Sequence, residues 1–239
     1  MDLCFLGRGN SSNFKEGNTS AYFIDRQNLF LIDCGETIFS KVLEQHILDN
    51  IKEVHVLITH THADHIGSLA SFIMYCYFNI HKNFHIIISN NCKHKSNIEM
   101  ILKGMGCSNK MYDFTDETYY DNQFNSFQTI RYLETKHVDY LDCYGIIFTT
   151  TNGVIYYSGD TRDTTNIDHI LVDSRIKIDK IYVDVTDQDY DNNIHLYIGI
   201  LHKTIPKDLR NRVYCMHFNN DNCIKLAQEF GFQIVDIKK

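Results

Sequence analysis

The chain has 239 residues, 44% of them hydrophobic and 13% aromatic, which fits one domain over residues 1–239 with an ample core. Its formal net charge of −7 disfavours sequence-independent docking on nucleic acid, which rests on many lysine and arginine contacts to phosphate. No apolar run approaches the roughly 20 residues of a membrane span, and the opening MDLCFLGRGN lacks a basic region followed by an apolar stretch, so a cytoplasmic location is expected.

In chain order, LCFLG and SAYFID read as strands, separated by a loop rich in Gly, Asn and Ser. NLFLIDCG is a third apolar strand, ended by Gly35. ETIFSKVLEQHI carries helical spacing at Ile38, Val42, Leu43 and Ile47. VHVLIT is a short buried strand. The segment His60-Thr61-His62-Ala63-Asp64-His65 follows it directly, and GSLASFIMYCYFN then reads as a helix. FHIIIS is a strand, and HKSNIEMILKGMG is a helix closed by glycine. The second half repeats this rhythm. NSFQTIRYLET, YGIIFTT and GVIYYSGD read as strands, the last two forming a hairpin across Thr151-Asn152-Gly153. NIDHILVDS is helical, KIYVDV and RVYCMHF are buried strands, and DNCIKLAQEFG is a closing helix. Strand-rich halves with helices outside predict an α/β protein, two sheets face to face flanked by helices.

Eight cysteines stand at 4, 34, 76, 92, 107, 143, 215 and 223, none in a Cys-x-x-Cys pair. Free, buried thiols are expected, and a zinc–thiolate site is not. The histidine segment points elsewhere. Imidazole nitrogens and carboxylate oxygens each offer a lone pair, and alternate residues at a strand end can aim at one centre. His60 and His62 do so for one cation, and Asp64 and His65, a turn onward, for a second. Two cations about 3.5–4 Å apart can clamp the attacking and leaving oxygens of a displacement. Nitrogen and oxygen donors without thiolate suit zinc, with manganese as the other option. The chain has 13 histidines, and His46, His55, His81, His85, His94, His169 and His202 read as ordinary structural or surface residues.

HTHADH resembles the His-x-His-x-Asp-His signature of the metallo-β-lactamase superfamily, which implies an αββα sandwich with a dinuclear site at one edge. The resemblance implies three further ligands: His137 in ETKHVDY, Asp160 in YYSGDTRD and His217 in VYCMHF. It gives His60, His62 and His137 to one metal, Asp64, His65 and His217 to the other, and shares Asp160 between them. FLGRGN, LIDCGE, YSGDTRD and MHF resemble segments of the RNase Z branch. VDVT stands where that branch has His-Glu-Ala-Thr, placing Asp184 at the glutamate, and NIHLY places His195 at the branch's histidine. Two departures touch the substrate side: Asp184 is shorter than glutamate, and Leu196 and Tyr197 replace small hydroxyl residues. The implied chemistry is metal-assisted phosphodiester hydrolysis. Asp64 orients a water and can take its proton, and His195 donates to the departing oxygen while Asp184 orients its imidazole.

In bacterial RNase Z a tRNA-gripping arm lies between the third-motif histidine and the bridging aspartate. Here His137 and Asp160 are separated by little more than the YGIIFTTTNGVIYYSG hairpin, and Asp184 to Asp191 carry four aspartates that would repel a polyanion. The chain therefore resembles the armless anti-Pycsar cyclic-nucleotide phosphodiesterases of phages and bacteria, which implies a 3′,5′-cyclic nucleotide substrate, a homodimeric pocket and, for a phage protein, the host cytoplasm. Tyr75, Tyr77, Tyr112, Tyr119 and Tyr120 are candidates to stack on a base, with packing as their ordinary role. Two alternatives stay open, a tRNA 3′-end endonuclease and a carboxylic ester or lactone hydrolase.

Overall fold

The computed structural model of the chain describes residues 1–116 and 124–237. Tyr119 and Tyr120 lie outside the described residues. The first sheet runs β1 (Cys4–Gly7), β2 (Ser20–Asp25), β3 (Asn28–Ile32), β4 (Glu53–Leu57), β5 (Asn83–Ile88), β6 (Asp113–Asp116), in that spatial order. The second holds β7 (Thr129–Glu134), β8 (Tyr144–Thr150), β9 (Gly153–Tyr157), β10 (Ile178–Asp184), β11 (Val213–Met216) and β12 (Gln233–Ile234), again in consecutive order. Pairing in both sheets is antiparallel for the first two neighbours and parallel for the last three.

Side-chain alternation explains the layering. Along β3, Leu29 and Leu31 face outward into a core shared with α1 (Ile38–Glu44), α3 (Leu69–Tyr75) and α4 (Cys92–Gly104). Phe30 and Ile32 face inward, meeting Ile146, Phe148, Ile155 and Tyr157 of the opposite sheet. A third core lies beyond the second sheet, under α5 (Thr165–Val172), α6 (Ile198–Thr204) and α7 (Asp221–Glu229). Strands buried on both faces read as continuous apolar runs, as parallel strands between two layers must. Phe30 stacks on Phe23 at 4.8 Å and meets Phe124 and Phe127 edge-on, so Phe30→Ala would cost about 3–5 kcal/mol. The architecture is the αββα metallo-β-lactamase sandwich expected from the sequence.

The predicted hairpin is present, with Gly153 at φ +142°. The helix expected through Asn79 instead passes from α3 into a π-helical turn over Cys76–Ile80. Among the described residues five elements had no forerunner in the sequence: the single helical turn Ala63–Ile66, β6, β12, α6 and a 3-10 segment over Lys207–Arg212. Cys34, Cys76, Cys107, Cys143, Cys215 and Cys223 are buried free thiols, and Cys4 is partly buried. Among the described residues no helix is long and apolar enough to cross a membrane.

What positions the site is a shared direction. β9, β10 and β11 run parallel, and β7 runs parallel to β9 through two antiparallel steps, so all four end at one edge. His137, Asp160, Asp184 and His217 stand at or just beyond those ends.

Candidate metal centre

β4 ends at Leu57 and leads into Thr59 and His60. His62, in extended conformation at φ −65° and ψ 153°, caps the single turn α2 (Ala63–Ile66) that carries Asp64 and His65. The turn is seated by Gly35. A Cβ there would meet the Asp64 carbonyl oxygen at 1.9 Å, so only glycine lets the two backbones approach this closely. On the other sheet Gly159, at φ +59°, turns the chain so that Asp160 enters the same space.

All nine residues singled out in the sequence converge. His60 Nε2 lies 2.9 Å from His62 Nδ1, and His137 Nε2 lies 3.2 Å from the same atom. His65 Nε2 and His217 Nε2 lie 3.6 and 3.3 Å from Asp64 Oδ2. Asp160 stands between the groups. Its Oδ2 is 3.8 Å from His60 Nε2 and 3.6 Å from His137 Nε2. Its Oδ1 is 3.3 Å from His65 Nε2 and 3.4 Å from His217 Nε2. These gaps approach the roughly 3.3 Å edge expected between nitrogen donors about 2.05 Å from a tetrahedral cation. His60, His65, Asp64, His137, Asp160 and His217 are buried, while His62 and His195 are partly exposed and mark the open side.

The outer contacts fix which nitrogen is free. His137 Nδ1 donates to the Ile194 carbonyl at 2.7 Å, leaving Nε2 with its lone pair. His65 Nδ1 donates to Asp33 Oδ2 at 2.8 Å. Asp33 also accepts from the Thr59 amide at 2.8 Å and the Thr59 hydroxyl at 2.7 Å, and that hydroxyl lies 3.1 Å from His60 Nδ1. One buried carboxylate thus braces a histidine of each group. Asp184 does similar duty on the second sheet. Its Oδ2 accepts from His195 Nδ1 at 2.8 Å and from the Thr161 amide at 3.1 Å, and its Oδ1 lies 3.3 Å from His217 Nδ1. Asp33 and His217 both sit at positive φ, 60° and 63°, strained positions for side-chain-bearing residues that the surrounding contacts hold in place.

The electrostatics call for positive charge. Every described ion pair of Asp33, Asp64, Asp160 and Asp184 is with a histidine. Burial lowers His60, His62 and His137, so these rings are neutral donors. Burial opposes charge on His217 as well, but Asp160 and Asp184 raise it to about 10. Asp64 is held at about 2 despite burial, through His65 and His217. His65 Nε2 is buried with no hydrogen-bond partner, an orphan that a metal ion would satisfy. The donor set of nitrogens and carboxylate oxygens fits two divalent cations sharing Asp160, and the buried clusters are of the dinuclear kind.

Asp33 and Thr59 were not read as site residues, although Asp33 stands in the quoted LIDCGE segment. Tyr140 was missed too. It is exposed, with its hydroxyl 3.4 Å from His62 Nε2 at the open side. Of the proposed base-stacking tyrosines, Tyr112 is buried edge-on to Phe114, Tyr75 packs on Phe39 and Tyr77 on Phe78. Leu196, one of the two departures from the RNase Z pattern, is fully buried in the core beneath α6.

A sequence model of the family described as anti-Pycsar protein Apyc1 matches residues 1–235. The chain is 27% identical to the anti-Pycsar protein Apyc1 of Bacillus phage BSP38, over 90% of this chain and 88% of that protein. It is 29% identical to ribonuclease Z of Oceanobacillus iheyensis, over 61% of this chain and 48% of that enzyme. In fold it is similar to YhfI, a metallo-β-lactamase fold protein of Bacillus subtilis, at 18% identity and a TM-score of 0.70, covering 99% and 95% of the two chains.

Proposed function

The chain belongs to the anti-Pycsar Apyc1 family, and from that premise we propose that it hydrolyses 3′,5′-cyclic nucleotides to linear monophosphates at a centre of two divalent cations, zinc or manganese. The observation that carries this reading is Asp160, whose two carboxylate oxygens face the two donor groups separately. His60, His62 and His137 would hold one cation and Asp64, His65 and His217 the other, with Asp160 between them. When bound, the cations supply Lewis-acid charge that acidifies water and stabilises the phosphoryl oxygens. The chain's own groups do the rest. Asp64 orients the attacking water and takes its proton. His195, at the open side and held by Asp184, protonates the departing ribose oxygen. Burial opposes charge on His195, yet Asp184 and Asp160 raise its pKa, which suits a donor.

Substrate size follows from what fills the space between His137 and Asp160. That span is β8 and β9, both core strands, with no protruding segment to grip a tRNA. A nucleoside monophosphate ring needs only the open side at His62, His195 and Tyr140. Support for a homodimer comes from the family resemblance and from this open side, which a second copy would wall. An activity panel tests the proposal: cyclic mononucleotides, a cyclic dinucleotide, pre-tRNA, bis-p-nitrophenyl phosphate and a lactone. Turnover of a cyclic mononucleotide with none of pre-tRNA is expected. Efficient 3′-trailer cleavage with no action on any cyclic mononucleotide would restore the endonuclease alternative, and turnover of lactones alone the esterase one.

A further inference from the structure

His55 and His85 were read as ordinary histidines, and the fold gives them a different setting. β4 and β5 pair in parallel with Glu53 opposite Asn83 and His55 opposite His85. Both histidines therefore sit side by side in the middle of their strands, upstream of the strand terminus that delivers His60. The His55 side chain is 9% exposed, and neither of its nitrogens has a hydrogen-bond partner. His85 Nε2 is also buried without one. Glu53 Oε2 lies 3.6 Å from His55 Nε2 and 3.9 Å from His85 Nε2. A buried imidazole with neither nitrogen partnered, beside a half-buried one whose Nε2 is also unpartnered, is costly unless something completes them.

We propose that Glu53, His55 and His85 form a second, structural divalent-cation site of the zinc class, which staples β4 to β5 upstream of the strand end that carries the catalytic centre. The donor set is two imidazole nitrogens and one carboxylate oxygen, with a fourth position for water. The carboxylate lies 3.6 and 3.9 Å from the two imidazole nitrogens, against the roughly 3.3 Å edge of a tetrahedral zinc site, and all three donor atoms lie within 4.8 Å of one another. The rings are stacked at 4.8 Å and 16°, so capture requires one of them to turn until the lone pairs converge. His85 is the ring able to do so, because His55 is clamped against Phe30 at 4.6 Å with Phe124 edge-on. Glu53 is 41% exposed, so its carboxylate is open to solvent. A simple ion pair explains the cluster less well. Burial, and then His85, push His55 down to about 3, so the ring is neutral with its lone pair available.

The test uses the full chain dialysed against zinc at a fixed free concentration, with bound metal counted by mass spectrometry. Wild type is compared with His85→Gln, with Glu53→Gln, and with His55→Phe, which keeps the stack on Phe30 but removes the donor. Whatever the catalytic centre holds cancels in the difference. Each folded variant should bind about one equivalent less than wild type, retain phosphodiesterase activity within about twofold, and lose the zinc-dependent part of its thermal stabilisation. Equal stoichiometry in wild type and Glu53→Gln, whose substitution lies at the surface and should leave folding intact, would overturn the proposal.

Discussion

Asp33→Asn changes one buried oxygen to nitrogen and should cripple a centre it never touches directly. Asp33 Oδ1 accepts from the Thr59 amide, a donor that cannot become an acceptor. The asparagine oxygen must therefore take that place, which puts the amide nitrogen where Oδ2 meets His65 Nδ1 at 2.8 Å. Two donors then face each other. His65 escapes by moving its proton to Nε2, the atom 3.3 Å from Asp160 and 3.6 Å from Asp64 and the one a cation needs. The Thr59 hydroxyl loses its acceptor as well, which loosens its contact with His60. Loss of an outer partner of a ligating histidine typically costs 10–100-fold in metal affinity, about 1.4–2.7 kcal/mol. The assay is turnover of a cyclic nucleotide against buffered free zinc, with circular dichroism confirming the fold. The activation midpoint should move up about 10–100-fold, with much of the rate recovered at high zinc. A variant with the wild-type midpoint and rate would refute the tautomer argument.

His195→Ala should lower turnover of a cyclic nucleotide about 10²–10⁴-fold without changing metal content, and the loss should shrink on bis-p-nitrophenyl phosphate, whose leaving group needs no proton. An equal loss on both substrates would make His195 a positioning residue. Asp160→Ala should release both cations and abolish activity, whereas His62→Ala should weaken only one; metal counting separates them. Tyr140→Ala should raise KM for a cyclic nucleotide several-fold with kcat nearly unchanged, and an unaltered KM would remove Tyr140 from the pocket. Burial lowers His94 to about 4 from its usual 6.5. The unfolded chain then takes up the proton first as pH falls, so stability is full above about pH 6.5 and declines toward pH 4, by at most about 3 kcal/mol. Urea unfolding of His94→Gln at pH 7.5 and 5 should show a flatter decline than wild type.

The elements legible in the sequence were those buried on both faces. NLFLI, VHVL and FHIII are apolar runs because each has helices on one side and the opposite sheet on the other. β6 and β12 were not legible for the converse reason. They are edge strands of four and two residues with half-exposed sequences, Asp-Phe-Thr-Asp and Gln-Ile, so no alternation marks them. The seven-residue α6 has no side-chain cap to announce it. In the site, ligand-type residues were visible because histidine and aspartate at strand ends are chemically conspicuous. Asp33 was not, because its role rests on a positive φ and on contacts with Thr59 and His65 that only the folded chain creates. Tyr140 was hidden likewise. A tyrosine in a polar loop becomes notable only when His62 is found beside it.

The two halves of the chain repeat one pairing scheme, and the donor groups are divided between them. The first half supplies His60, His62, Asp64 and His65 from a single strand end. The second supplies His137, Asp160 and His217 from three. In the proposed assignment each group of donors draws on both halves, so neither half alone would hold a cation with its full set. The bracing carboxylates follow the same division, Asp33 beneath the first half's histidines and Asp184 beneath the second's. Docking of the sheets across the Phe30, Ile32, Phe148 and Tyr157 core is therefore what assembles the centre. The apolar interface sets the separation of the two donor groups, and Asp160 spans what remains.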